Sequence, residues 1–88
     1  MGETELFGRY HRLIRELAWR RAPEDIWRTR LGQILRGLDD DCRQLSHRSA
    51  AVFLHELSSQ IEHELLRCSS WEARAVLSVA LKHLDAAV

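Results

Sequence analysis

Apolar residues recur along this chain at spacings of three and four, which is the period of one face of an α-helix. The first such series predicts a helix from about Glu5 to Arg21, with Thr4 as its N-cap. This helix is expected to end before Pro23, because the residue that precedes a proline disfavours helical geometry. The apolar face of this first helix consists of Leu6, Tyr10, Leu13, Ile14 and Leu17.

A second helix is predicted to begin at Pro23, since proline suits the first turn of a helix. Glu24 and Asp25 follow it, where negative charge complements the positive end of the helix dipole. The acidic run Asp39–Asp41 predicts the end of this helix and a solvated connector that reaches to Arg43. The apolar stripe of the second helix consists of Trp27, Leu31, Ile34, Leu35 and Leu38.

The start of the third helix has the clearest signals. The side chain of Ser46 can accept hydrogen bonds from the first backbone N–H groups of a helix. Leu45 before it and Ala50 after it have the spacing of a hydrophobic staple. The apolar pattern then continues to about Arg67, which predicts a long third helix.

A fourth helix is predicted from Ser70 to about Ala86, because Ser69 and Glu72 have the spacing of a capping box. This helix is apolar around most of its circumference, and a domain of three or four helices covers such a helix only in part. We therefore expect a second subunit or another partner to cover the rest. The residues assigned to this interface are Trp71, Val76, Leu77, Ala80, Leu81 and Leu84.

The length of 88 residues predicts one all-α domain of three to four helices. A chain this short buries only about 60–65% of its unfolded surface, so a homodimer would supplement a thin core. No apolar run is long enough to span a membrane, and the N-terminus lacks the order of a secretory signal. Cys42 and Cys68 lack a disulfide-like spacing, so two free thiols and a cytoplasmic location are expected.

The net charge is zero, from 13 basic and 13 acidic side chains, which disfavours non-specific coating of nucleic acid or of an anionic membrane. Arginines on the polar side of the first helix could still contact phosphates, and a solvated face is the alternative. Tryptophans could anchor a partner or fill the core. The candidate phosphate contacts are Arg9, Arg12, Arg20 and Arg21, and the tryptophans are Trp19, Trp27 and Trp71.

Catalytic, cofactor and metal sites are not expected. His55-Glu56 lacks the second histidine of a zinc-protease helix, because position 59 is serine, and His55 and His63 lie two turns apart. Neither cysteine has a neighbouring base in a nucleophile pattern, and no glycine-rich phosphate loop occurs. The histidines are interpreted as surface or interface residues whose titration would make association sensitive to acid. They are His11, His47, His55, His63 and His83.

Residues 30–85 resemble the small enterobacterial biofilm-development family of YmgB, AriR and YcgZ. The resemblance is strongest in Leu31-Gly32-Gln33-Ile34 and in the stretch Arg43–Ser49, with Leu38-Asp39-Asp40 between them. The segments Phe53–Leu57 and Arg74–Lys82 are similar too. Residues 1–29 depart more from the family and form a divergent N-terminal helix.

The resemblance implies a cytoplasmic connector that modulates a two-component phosphorelay and affects biofilm, motility and acid-stress responses. It implies no catalytic residues, and it makes Gly32 a site of close helix approach. The leading hypothesis is a dimeric regulator that binds a kinase, a response regulator or a similar protein. The second is a transcription modulator that contacts DNA through the arginine-rich first helix or joins a nucleoid protein. A third is a phage- or plasmid-borne inhibitor that blocks a host enzyme with the same helical surface.

Overall fold

A computed structural model describes residues 2–87, which form four α-helices and no strand. Helix α1 spans Glu3–Ala18, α2 spans Glu24–Arg43, α3 spans His47–Arg67 and α4 spans Trp71–Ala87. The all-α fold predicted from the apolar pattern is confirmed. The number of helices is four.

The helices form two hairpins that pack against each other. Within the first hairpin, Tyr10 Oη of α1 donates to Asp41 Oδ2 near the end of α2, at 2.5 Å. Within the second, Ser58 Oγ of α3 donates to Asp85 Oδ1 of α4, at 2.8 Å. Consecutive helices are antiparallel, and α1 packs against α2, α3 and α4. Helix α4 likewise packs against each of the other three helices.

The packing of α4 corrects the interface predicted for it. Four of the six assigned side chains are at most 2% exposed within this chain alone, because α1, α2 and α3 together enclose that helix. They therefore offer no surface to a second subunit. These four are Val76, Leu77, Ala80 and Leu84.

The other two residues of that predicted interface have different surroundings. Leu81 is half-buried and packs at the edge of the core. Trp71, at the start of α4, is 73% exposed. Trp71 is thus the one large apolar side chain of the described part of α4 that is largely exposed, and the argument for a dimer from the four buried residues does not hold.

Three predicted helix boundaries are also corrected. Helix α1 begins earlier than expected, with Gly2 and not Thr4 as its N-cap, and it ends at Ala18. Helix α2 continues through the acidic run Asp39–Asp41, which is not a connector. The reason is tertiary: Asp41 accepts the Tyr10 hydroxyl and Asp39 pairs with a histidine of α4, so both carboxylates have partners inside the bundle.

The close approach expected at Gly32 occurs instead at Gly37. No atom outside its own helix backbone and its chain neighbours lies within 4 Å of the position that a Cβ would occupy at Gly32. A Cβ at Gly37 would lie 3.3 Å from the Tyr10 hydroxyl. The absence of a side chain at Gly37 therefore makes room for the Tyr10–Asp41 hydrogen bond.

The cap predicted at Ser46 is confirmed, since its Oγ accepts the Ser49 backbone N–H at 3.1 Å. For α4 the capping serine is one residue later than predicted. Ser70 Oγ, not that of Ser69, accepts the Ala73 N–H at 3.3 Å. The Ser70 hydroxyl also donates to the Glu72 carboxylate at 3.0 Å.

Candidate protein-binding site

Large exposed apolar side chains concentrate at one end of the bundle. Because consecutive helices are antiparallel, the last turns of α1 and α3 and the first turns of α2 and α4 meet there. Residues 2–87 include five large hydrophobic side chains that are exposed, and four of them lie at this end, which we call the apolar end. The fifth, Val52, lies in α3 near its start. The apolar end consists of Trp19 (53% exposed), Ile26 (50%), Leu66 (76%) and Trp71 (73%).

The turn between α1 and α2 places Trp19 and Ile26. Trp19 is the C-cap of α1, and its backbone N–H still bonds to the Arg15 carbonyl. Arg21 then adopts a positive φ of 57°, the left-handed conformation that reverses the chain. Pro23 is extended and starts α2, so Ile26 falls in its first turn. The first buried residue of α2 is the next one, Trp27.

A groove joins Trp19 to the last turns of α3. Its walls include Arg15, Glu64 and Arg67, and Cys68 lies beside them. Glu64 Oε1 is 2.8 Å from His11 Nε2, whereas its other oxygen is buried and has no hydrogen-bond partner among the described residues. The His11–Glu64 hydrogen bond and the groove link α1 to α3, so Trp19 and the end of α3 form one surface.

Leu66 and Trp71 lie on either side of the turn between α3 and α4, and hydrogen bonds hold the backbone of this turn. The Arg74 guanidinium donates to the carbonyl oxygens of Leu65 at 3.0 Å and of Cys68 at 3.2 Å. These carbonyls lie in the last turn of α3, where carbonyl groups lose their regular helical partners, and the Leu65 carbonyl also accepts the Cys68 backbone N–H at 3.3 Å. The two most exposed apolar side chains are thus carried by a turn that needs no partner to become ordered.

The pKa of the Glu72 carboxyl is lowered, first by its own backbone N–H and then by the Ser70 hydroxyl, both of which donate to it. Arg21 of the α1–α2 turn lowers it further through its positive charge. The two turns of the apolar end are therefore close enough to interact electrostatically. Charged side chains of both signs lie between Trp19 and Ile26 in the sequence.

Replacement of Ser70 by alanine is expected to raise the pKa of Glu72 toward its ordinary value of 4.5. A depressed folded-state pKa stabilises the fold above pH 4.5, and this contribution is lost as the pH falls through the folded value. Loss of the cap itself is expected to cost about 0.5–2 kcal/mol. NMR titration and urea unfolding measure both effects. Ser69→Ala is the matched control, and an equal cost from Ser69→Ala would contradict Ser70 as the cap.

The predicted phosphate contacts do not form one cluster. Arg9 and Arg12 are exposed on α1, and the Arg9 guanidinium lies 5.6 Å from the centre of the Tyr10 ring. Arg20 and Arg21 are exposed in the turn beyond the end of α1, where Glu24 and other acids follow directly. The surface around these arginines therefore carries both signs of charge.

The tryptophans divide between the two predicted roles. Trp27 is buried and fills the core, with the Arg28 guanidinium 4.8 Å from the centre of its ring. Trp19 and Trp71 are exposed at the apolar end. Leu66 and Ile26 were not among the candidate residues from the sequence. In the sequence, Ile26 directly precedes the stripe residue Trp27 and Leu66 directly follows the stripe residue Leu65. An apolar residue beside the stripe, and not in it, is the only sequence signal of their exposure.

The remaining candidate chemistry is structural. His83 Nε2 lies 3.0 Å from Asp39 Oδ1, so this histidine links α4 to α2. Burial and the nearby carboxylates of Asp39 and Asp41 raise the pKa of the Cys42 thiol, which disfavours the reactive thiolate. Cys42 and Cys68 are free. Within residues 2–87, no three side chains of the metal-ligating types are grouped to hold an ion.

Protein-family models, curated proteins and solved structures were compared with this chain, and none of them matches it. None of the four helices in the described part of the chain is long and apolar enough to cross a membrane.

Proposed function

We propose that this protein is a non-enzymatic regulator that acts by binding another protein through the apolar end. The observation that carries the proposal is the exposure of Trp19, Leu66 and Trp71 on one end of an otherwise well-covered bundle. Tryptophan and arginine are the residues most enriched at binding hot spots. Here Arg21 and Arg67 lie beside those apolar side chains.

The shape of the apolar end favours a protein partner over a small ligand. Its side chains project from two turns and two helix ends, and the neighbouring groove, which Trp19 helps to line, is open to solvent. Small-molecule sites are concave and enclose most of their ligand. An apolar centre with charged side chains around it is the usual composition of a protein interface.

The resemblance of residues 30–85 to the biofilm-development family supports a specific class of partner. In that family context, the partner is a component of a two-component phosphorelay or of a stress response, and the complex forms in the cytoplasm. The proposal also includes self-association of the chain as a homodimer.

Direct DNA binding is the competing function, because Arg9, Arg12, Arg20 and Arg21 are all exposed. Acidic neighbours make it the weaker candidate. If DNA is bound directly, affinity should fall steeply with salt, and Arg12→Glu combined with Arg20→Glu should abolish retention of a labelled duplex. We expect no salt-dependent retention of the unmodified protein, and retention lost in that double variant would favour the DNA function.

The proposal is tested by affinity capture from the native host, followed by mass spectrometry. The bait is compared with a variant that carries Leu66→Ser and Trp71→Ser, two changes at exposed positions that leave the core intact. Val52→Ser is the control, because it removes an exposed apolar side chain away from the apolar end. A partner that is captured by the unmodified and control baits but not by the double variant is expected. Equal capture by all three baits would contradict the proposal.

A further inference from the structure

Arginines line the part of the apolar end that surrounds Trp19. The groove between α1 and α3 has Trp19 and Arg15 on the side of α1 and Arg67 on the side of α3. A second, shallow pocket beside Trp19 is formed by α1 alone, and Arg12 and Arg15 line it. These two depressions share Arg15 and Trp19, and we call them together the Trp19 groove.

The three arginines of the Trp19 groove are available to a ligand. All three side chains are exposed, and within residues 2–87 none of them takes part in a salt bridge. Two carboxylates also line the groove, namely Glu64, which is hydrogen-bonded to His11, and the exposed Glu16. Three arginines against two glutamates leave an excess of positive charge, which attracts an anionic group.

Backbone dipoles account for only part of this charge. Two helices end and two begin at the apolar end, so negative and positive dipole ends lie side by side there. Arg15 and Arg67 belong to the last turns of α1 and α3, where each offsets a negative helix end. Arg12 lies before the last turn of α1 and has no such role, so its charge remains for a ligand.

The walls of the Trp19 groove favour a helical segment as its occupant. They extend from Arg12 to Trp19 along α1 and from Gln60 to Arg67 along α3. Either stretch is about 10 Å long at the helical rise of 1.5 Å per residue. Because both walls are helices, their backbone groups are already bonded, and an extended segment would find few partners for its own. A helix bonds its backbone internally, and about two turns of it match the groove.

We infer that the Trp19 groove binds an acidic amphipathic helix of the partner protein. The inference rests on the proposed function, because it specifies which kind of segment of that partner the apolar end receives. An apolar side chain of the helix packs on the Trp19 indole, which is 53% exposed. Carboxylates three or four residues from it lie on the same face and accept hydrogen bonds from Arg15 and Arg67.

Selection from a displayed peptide library tests the inference without knowledge of the partner. The library presents peptides of about 14 residues, which is long enough for a helix to form on binding, and the bait is the full-length protein. Enriched peptides are expected to combine a large apolar residue with Asp or Glu three or four positions from it. Enrichment of basic or uncharged peptides instead would overturn the inference.

Charge reversal then locates the site of an enriched peptide. Arg15→Glu combined with Arg67→Glu is expected to raise its dissociation constant at least about tenfold. A peptide that carries lysine in place of each acidic residue is expected to bind this double variant within about threefold of the original affinity. Trp19→Ala is expected to weaken the original peptide at least about tenfold as well, because the apolar contact is lost.

The matched control is Arg36→Glu combined with Arg48→Glu, which changes the net charge by the same amount. Both residues are exposed and lie toward the other end of the bundle, so the affinity is expected to change less than about twofold. Circular dichroism of each variant verifies the helical fold.

Three further results would overturn the inference. They are a folded Arg15 and Arg67 double variant that binds the acidic peptide normally, a lysine peptide that fails to bind this variant, and enriched peptides that depend on Trp71 and not on Trp19. A DNA duplex that binds these arginines more tightly than the peptides would indicate nucleic acid instead. Capture of a host protein that depends on Leu66 and Trp71 is a separate result, so the proposed function can stand when this inference fails.

Discussion

Truncation of Leu77 to alanine is expected to lower the free energy of unfolding by about 2–5 kcal/mol. The Leu77 side chain is 1% exposed, and helices of the same chain surround it, so its removal leaves a cavity that the bundle cannot fill. A small domain has only about 5–15 kcal/mol in total, so this loss is a large fraction of its stability. Urea unfolding followed by circular dichroism measures it.

Trp71→Ala, six residues earlier on the same helix, is the matched control. Its side chain is 73% exposed, so its loss is expected to change the free energy of unfolding by no more than about 0.5 kcal/mol. A large loss of stability for Leu77→Ala and a small one for Trp71→Ala would show that Leu77 lies in the core and Trp71 on the surface. If Leu77→Ala left stability unchanged and dissociated a dimer instead, the burial of α4 within one chain would be wrong.

The same Trp71→Ala change is expected to weaken binding of the captured partner by about 2 kcal/mol or more, which is roughly a thirtyfold rise in dissociation constant. The reason is that an exposed, well-supported indole offers a large apolar area that needs little ordering on binding. Isothermal titration calorimetry with the purified partner measures the effect.

Trp27→Phe serves as the comparison for that experiment, because Trp27 is buried and fills the core. It should lower stability but leave the affinity of the folded protein almost unchanged. An affinity that falls equally in both variants would indicate that the loss comes from a disturbed fold and not from the apolar end.

The helices could be predicted from the sequence because apolar spacing and capping residues act locally. The start of α3 shows this, since Ser46 caps the helix that its own sequence predicts. The acidic run Asp39–Asp41 shows the limit. Local propensity predicts a helix end there, but partners from α1 and α4 hold Asp41 and Asp39 within α2. Those partners are distant in sequence, and no local pattern reveals them.

The binding site was harder to predict for a related physical reason. The apolar circumference of α4 predicts surface in excess of one core, yet three helices pack against α4 and bury Val76, Leu77, Ala80 and Leu84. Among the residues assigned to the interface, Trp71 alone is largely exposed. Leu66 and Ile26 belong to the same end because turns bring their helices together, and such proximity depends on the assembled bundle.

The surface that remains uncovered is therefore smaller than the apolar content of the sequence indicates, and it is concentrated in two turns. We expect the apolar end to bind one partner protein at a time, because it carries only four large exposed apolar side chains.

Site-specific photocrosslinking in the native host tests the central claim most directly. A photoreactive amino acid at position 71 lies at the apolar end, and the same group at position 48 lies at the opposite end of the bundle. We predict that position 71 crosslinks to a defined protein and that position 48 does not. Crosslinks to the same proteins from both positions, or a protein crosslinked from position 48 alone, would contradict the account.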